Sequence, residues 1–201
     1  MTRKISAAGI AACILYFLSV GAFLITQTET ALTIWELMTV IGAPVVLIVL
    51  VKLVDLTSES SVHKKATLAF MSCTCALTGL AHIVNIAVTR PLIAQGVNVP
   101  EYFQIGFWPS VEMATDYLAW GFFCGLSFLC AGTAINSKDK LLSRIKVTAL
   151  ICGILCQAGF WGTLFINENI WYAAPMGYGF GTVILCLQML KLDRTESKKH
   201  K

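Results

Sequence analysis

Apolar residues run along the chain in six blocks separated by polar connections, and the blocks cover approximately residues 6–26, 31–51, 66–89, 109–135, 147–166 and 170–190. Each is close to the ~20 residues that a helix rising about 1.5 Å per residue needs to cross a ~30 Å hydrocarbon layer. None alternates with period two as a barrel strand does, and a backbone in lipid must satisfy its own hydrogen bonds, so helices are favoured. The pattern predicts an all-α, polytopic membrane protein: one domain, a six-transmembrane-helix bundle. The connections near 27–30, 58–61, 136–139 and 167–169 are short, and the one near 91–108 is long.

Charge orients the bundle. Fourteen of the 15 Lys and Arg residues fall before the first block, in the second and fourth connections, or in the basic tail 191–201, which leaves Arg90 alone on the other side. The positive-inside rule then places both termini in the cytoplasm, with the 91–108 loop outside. The first block follows a short basic stretch, as a secretory signal would. It is longer than the ~7–15 residues of a signal core and no small-x-small site follows it, so it reads as an uncleaved span.

Composition agrees with this architecture: 57% of residues are hydrophobic and 13% charged, with a mean hydropathy of +0.74. Such values exclude a soluble globule and a disordered chain. The formal net charge of +4 punctuates apolar runs instead of forming a basic face, so nucleic acid is not an expected partner. The partner is the lipid bilayer, and the setting is a multi-pass cell membrane, a bacterial plasma membrane by the resemblance given below. The eight cysteines all lie inside the spans, as helix-packing residues do, and a disulfide framework is not expected.

Polar residues inside the spans carry the candidate chemistry. In the third span Thr67, Thr74, Thr78, His82, Asn85 and Thr89 are spaced by 7, 4, 4, 3 and 4, which puts them on one helical face directed at other helices. His82 is the exceptional member, because an imidazole at that depth needs a partner. In the fourth span Glu112, Asp116 and Trp120 follow at spacing four, with Pro109 in the first turn. Two carboxylates so placed repel when both are ionised, and either share a proton or attract a cation. Glu112 reads as the better solvated of the two, near the headgroups, and Asp116 as the deeper. Counting from the span ends brings Glu36, Gln157, Trp161 and Tyr178 to similar depth. These groups together suggest an outer-half pocket rich in acids and aromatics. Pro44 and Pro175 are candidate kinks. Neither a phosphate-binding glycine loop nor a His-x-x-x-His or Cys/His cluster occurs, so no cofactor and no metal is expected.

The run from Val99-Pro100-Glu101-Tyr102 through Trp108-Pro109-Ser110-Val111-Glu112 to Asp116-Tyr117-Leu118-Ala119-Trp120-Gly121 resembles a family of uncharacterised bacterial six-helix integral membrane proteins. The order of His82, Glu112, Asp116 and Trp120 is similar, more distantly, to the sterol isomerase and sigma-2 receptor family. There a membrane His, acids and Trp line a pocket for lipophilic amines or sterols. That family has fewer helices and an acid four residues after its His, where this chain has Ile86.

The leading functional expectation is binding, with transport left open, of a small cationic or amphipathic ligand by Glu36, His82, Asn85, Glu112, Asp116, Trp120, Gln157, Trp161 and Tyr178. One alternative is a membrane-embedded enzyme acting on a lipophilic substrate, with His82 and Asp116 as catalytic acid and base. The other is an accessory subunit whose polar stripe only joins helices. Oligomeric state stays open. The topology is tested by an impermeant thiol label on Asn98→Cys and Ser137→Cys. Asn98→Cys reacts in intact cells and Ser137→Cys only after permeabilisation; the reverse pattern inverts the bundle.

Overall fold

The computed structural model describes residues 2–57 and 60–199. Six helices long and apolar enough to cross a membrane account for most of them: α1 Thr2–Thr26, α2 Glu29–Thr57, α3 Ser61–Ala94, α4 Val111–Thr133, α5 Lys140–Phe165 and α6 Glu168–Asp193. No strand occurs among the described residues. The helices exceed the apolar runs because polar caps carry them past the hydrocarbon layer. The Ser60 hydroxyl accepts the His63 N–H ahead of α3, and Asp139 accepts the N–H groups of Leu141 and Leu142 ahead of α5. Ser110 caps α4 through the Met113 N–H, so Pro109 stands before the cap instead of in the first turn. The last helical stretch, Gly181–Lys199, runs on from the span into the basic tail without a break. Residues 200–201 lie outside the described residues.

The helices pack in chain order. Each lies against its sequence neighbours, and α6 returns to α1 to close the ring. Long apolar side chains line both surfaces of that ring. Leu50, Leu53, Met71, Phe128, Ile145, Leu185 and Met189 fill its interior toward the end that carries the termini, while Ile14, Leu18, Ile48, Leu80, Ile154 and Leu187 face outward. An outward face of this kind is the surface a bilayer covers.

Three of the helices are not α-helical throughout. Asn85–Thr89 in α3, Leu118–Phe123 in α4 and Met176–Phe180 in α6 are wound as π-helix, a geometry that is rare and concentrated at functional sites. Proline adjoins two of them. Pro91 follows the first and Pro175 precedes the third, and neither has an N–H for the regular ladder. Pro44, by contrast, sits within the continuous α-helix α2.

Lipid offers little hydrophobic driving force between helices, so close backbone approach matters. Between α4 and α5 it is set by two glycines. A Cβ on Gly153 would stand 2.6 Å from Leu129 Cγ and 2.9 Å from the Gly125 carbonyl oxygen. Gly153→Ala must therefore push α4 and α5 apart and lower stability by about 1–3 kcal/mol. Gly79→Ala, where nothing lies within 4 Å, shifts it by less than about 0.5 kcal/mol. Thermal unfolding in detergent compares the two, and an equal response contradicts this packing.

Candidate functional site

The polar stripe of α3 is buried along its length: Thr67, Thr74, Thr78, His82, Asn85 and Thr89 all face the bundle interior. At its centre stands Glu36 of α2, only 1% exposed. A carboxylate so buried is costly unless compensated, and α3 supplies the compensation. Arg90 Nη2 donates to Glu36 Oε2 at 2.5 Å and Asn85 Nδ2 to Oε1 at 2.6 Å. The guanidinium is itself held by Thr33, whose hydroxyl accepts from Nη1 at 2.7 Å. The π turn Asn85–Thr89 makes this possible, because its five-residue hydrogen bond from the Arg90 N–H to the Asn85 carbonyl rewinds the helix just where Asn85, Thr89 and Arg90 enter the interior.

His82 links this pair to α4. Its Nδ1 lies 3.6 Å from Glu36 Oε1 and its Nε2 3.4 Å from Asp116 Oδ1. Both ring nitrogens are buried, and neither meets a partner at hydrogen-bond geometry. Asp116 Oδ1 also accepts the Thr78 hydroxyl at 2.7 Å, and Thr78 in turn accepts the Trp120 indole N–H at 2.8 Å. The Trp120 ring packs against Tyr178 of α6 with centroids 4.5 Å apart, and the Tyr178 hydroxyl meets that of Tyr16 on α1 at 3.2 Å. A continuous network thus runs through Arg90, Glu36, His82, Asp116, Thr78, Trp120, Tyr178 and Tyr16, touching five of the six helices.

Asp116 is only partly buried, with 15% of its side chain exposed, as is Arg90 at 14%. Beside this network lies a cleft of about 30 Å³, lined by Cys13, Tyr16, Thr39, Gly42, Trp120 and Tyr178 among others, or about 330 Å³ with its open mouth included. It is floored by aromatic rings and walled by small or apolar groups.

Six of the residues singled out from the sequence therefore meet: Glu36, His82, Asn85, Asp116, Trp120 and Tyr178. Three do not join them. Glu112 is buried on a side branch, where Thr89 donates to its Oε1 at 3.4 Å and Oε2 has no hydrogen-bond partner. It is less exposed than Asp116, the reverse of the solvation expected of the two, and Thr89 also reaches the carbonyl of Phe103 in the long loop at 3.4 Å. The two carboxylates have separate hydrogen-bond partners, Thr89 for Glu112 and Thr78 for Asp116. Gln157 acts as a clamp. Its amide donates to the Phe122 carbonyl at 2.7 Å and reaches that of Gly121 at 3.4 Å, both in the π segment of α4, where the regular hydrogen-bond ladder is displaced. Trp161 donates to Gln157 Oε1 at 3.0 Å and lies with its ring on the outer surface, stacked on Phe165.

Arg90 and Tyr16 are the members that spacing alone did not single out, and Thr78, placed by spacing on the polar face, was not among the expected ligand-binding residues. Arg90 counted as the lone basic group of the outer side, although an arginine next to a span end can equally reach inward to a buried acid. Thr74 performs on α4 the same service as Gln157, donating to the π-segment carbonyl of Ala119 at 3.1 Å.

No family model, curated protein or solved structure matches the chain.

The ion pair yields a stability test. Arg90→Met leaves Glu36 buried without its cation and lowers stability by about 3–5 kcal/mol, whereas adding Glu36→Gln restores a large part of the loss. Chemical or thermal unfolding of both variants measures this, and a double variant no better than Arg90→Met contradicts the pairing.

Proposed function

We propose that the protein binds a small organic cation, amphipathic in its remainder, at Asp116 from the cleft between α1, α2 and α6. It does so in a plasma membrane, with both termini on the cytoplasmic side, as the distribution of basic residues supports. The observation that carries the reading is an aromatic cleft lined by Tyr16, Trp120 and Tyr178 whose Trp120 is joined to the Asp116 carboxylate through the shared Thr78 hydroxyl. Asp116 supplies charge, and electron-rich ring faces attract alkylammonium groups. Glu36 is already neutralised by Arg90, so the negative charge available to a ligand is that of Asp116.

The cleft matches such a ligand in shape. Ala12, Met38 and Val46 complete its lining beside the aromatic rings and suit an apolar remainder. Gln157 and Trp161 sit outside this scheme and hold the fourth helix in form.

Benzyltrimethylammonium, a cationic head with an apolar ring, serves as the probe, with binding read from the quenching of Trp120 fluorescence in detergent-solubilised protein. Asp116→Asn preserves the shape of the side chain and weakens binding thirty-fold or more, the loss of a largely desolvated ion pair of about 2–5 kcal/mol. Glu112→Gln, on its separate branch, changes affinity by less than about threefold, in the range of a weak electrostatic neighbour. Equal affinities in all three proteins contradict the assignment of Asp116.

A further inference from the structure

The fixed charges of the network do not cancel. With Glu36 and Asp116 as two carboxylates and Arg90 as one guanidinium, a site this deeply buried balances its charge when His82 supplies a second cation. The groups around the imidazole are Glu36 from α2, Asp116 from α4, and Asn85 and Arg90 from its own helix. Tyr16 of α1 and Tyr178 of α6, both neutral hydroxyls, stand on the side of Asp116, and Glu112 belongs to the Thr89 branch. Ring geometry agrees with the charge count. Each nitrogen of His82 is turned to a carboxylate oxygen, at 3.6 and 3.4 Å, and neither has another partner. A neutral imidazole carries a proton on one nitrogen only and would set the lone pair of the other against a carboxylate; the imidazolium presents N–H to both.

We propose that this site exchanges one proton for one organic cation: His82 carries the proton in the cation-free protein and releases it when a cation docks at Asp116. The inference rests on the cation-binding reading above and adds to it a coupled ion. Charge balances in the step, since one cation enters as one proton leaves. The proton departs from Nε2 past Asp116, which faces that nitrogen and has 15% of its side chain exposed. Coupling is reciprocal, so protons oppose the cation as much as the cation opposes the proton. Affinity therefore rises with pH by up to about tenfold per unit across the range in which His82 gives up its proton, and levels off above it.

Benzyltrimethylammonium is again the probe, because its quaternary nitrogen has no proton to give. Calorimetric titration of the whole protein in buffers of different ionisation enthalpy counts the protons released. The expected result is about one proton per cation bound and an affinity that climbs from about pH 5 to about pH 9. In His82→Gln, which keeps a neutral polar group at the position, binding releases no proton and loses its pH dependence. Wild-type binding without proton release, or the same release in His82→Gln, overturns the exchange and leaves the binding reading standing. No binding at any pH overturns both. Where His82→Gln does not fold, the wild-type proton count decides the matter alone.

Discussion

The end of the bundle that carries Arg90 is built around one constraint, a carboxylate that water does not reach. Glu36 is almost wholly enclosed, and lipid outside the ring offers it nothing, so every lone pair must be met from a neighbouring helix. Arg90 and Asn85 meet them by hydrogen bonds, His82 stands 3.6 Å away, and all three lie on α3. The register of α2 against α3 is thereby fixed more tightly than apolar packing in lipid would fix it. From His82 the constraint passes to α4 through Asp116, and from Trp120 to α6 and α1 by ring contact and a tyrosine pair. The opposite end needs no such device. Leu50, Leu53, Met71, Phe128 and Leu185 close it by apolar packing, joined by a hydrogen bond from the Ser127 hydroxyl to the Thr67 carbonyl.

Accommodating a polar network in a ring of straight helices requires local rewinding, which the π segments provide. Each contains a network residue or joins one: Asn85 opens the segment in α3, Trp120 lies within that of α4, and Tyr178 within that of α6. A π turn displaces carbonyl groups from the regular ladder, and in α4 two neighbours take them up, Thr74 from α3 and Gln157 from α5. The same threonine face of α3 thus binds the carboxylate of Asp116 through Thr78 and supports the backbone that carries it through Thr74. Structure and candidate chemistry are one arrangement here, and a change at Gln157 reaches the site through the geometry of α4 and not by contact.

The six spans were legible in the sequence because hydrophobic length is a direct physical requirement of the bilayer. The buried face of α3 was equally legible, since Thr67 through Thr89 repeat at helical spacing and a polar stripe in lipid has to face protein. Depth, by contrast, does not give azimuth. Gln157 and Trp161 stand at a depth similar to that of His82 by counting, yet they point elsewhere on α5. Glu112 and Asp116 share a face by the spacing of four, but each finds its own partner on α3. Arg90 escaped notice because counting charges for topology treats them as solvated ends, and Tyr16 because a single tyrosine in an apolar helix resembles an interfacial anchor. The π segments carried no sequence signal beyond Pro91 and Pro175.

The account turns on the charge state at the centre of the network, four groups whose charges cancel when His82 is an imidazolium facing two carboxylates. Nitrogen-15 resonance of histidine-labelled protein near neutral pH, with His82→Gln used to assign the signal, observes this directly. The prediction is that both His82 ring nitrogens carry protons and resonate close together. A pyridine-type signal from one of them, the mark of a neutral ring, would contradict the account.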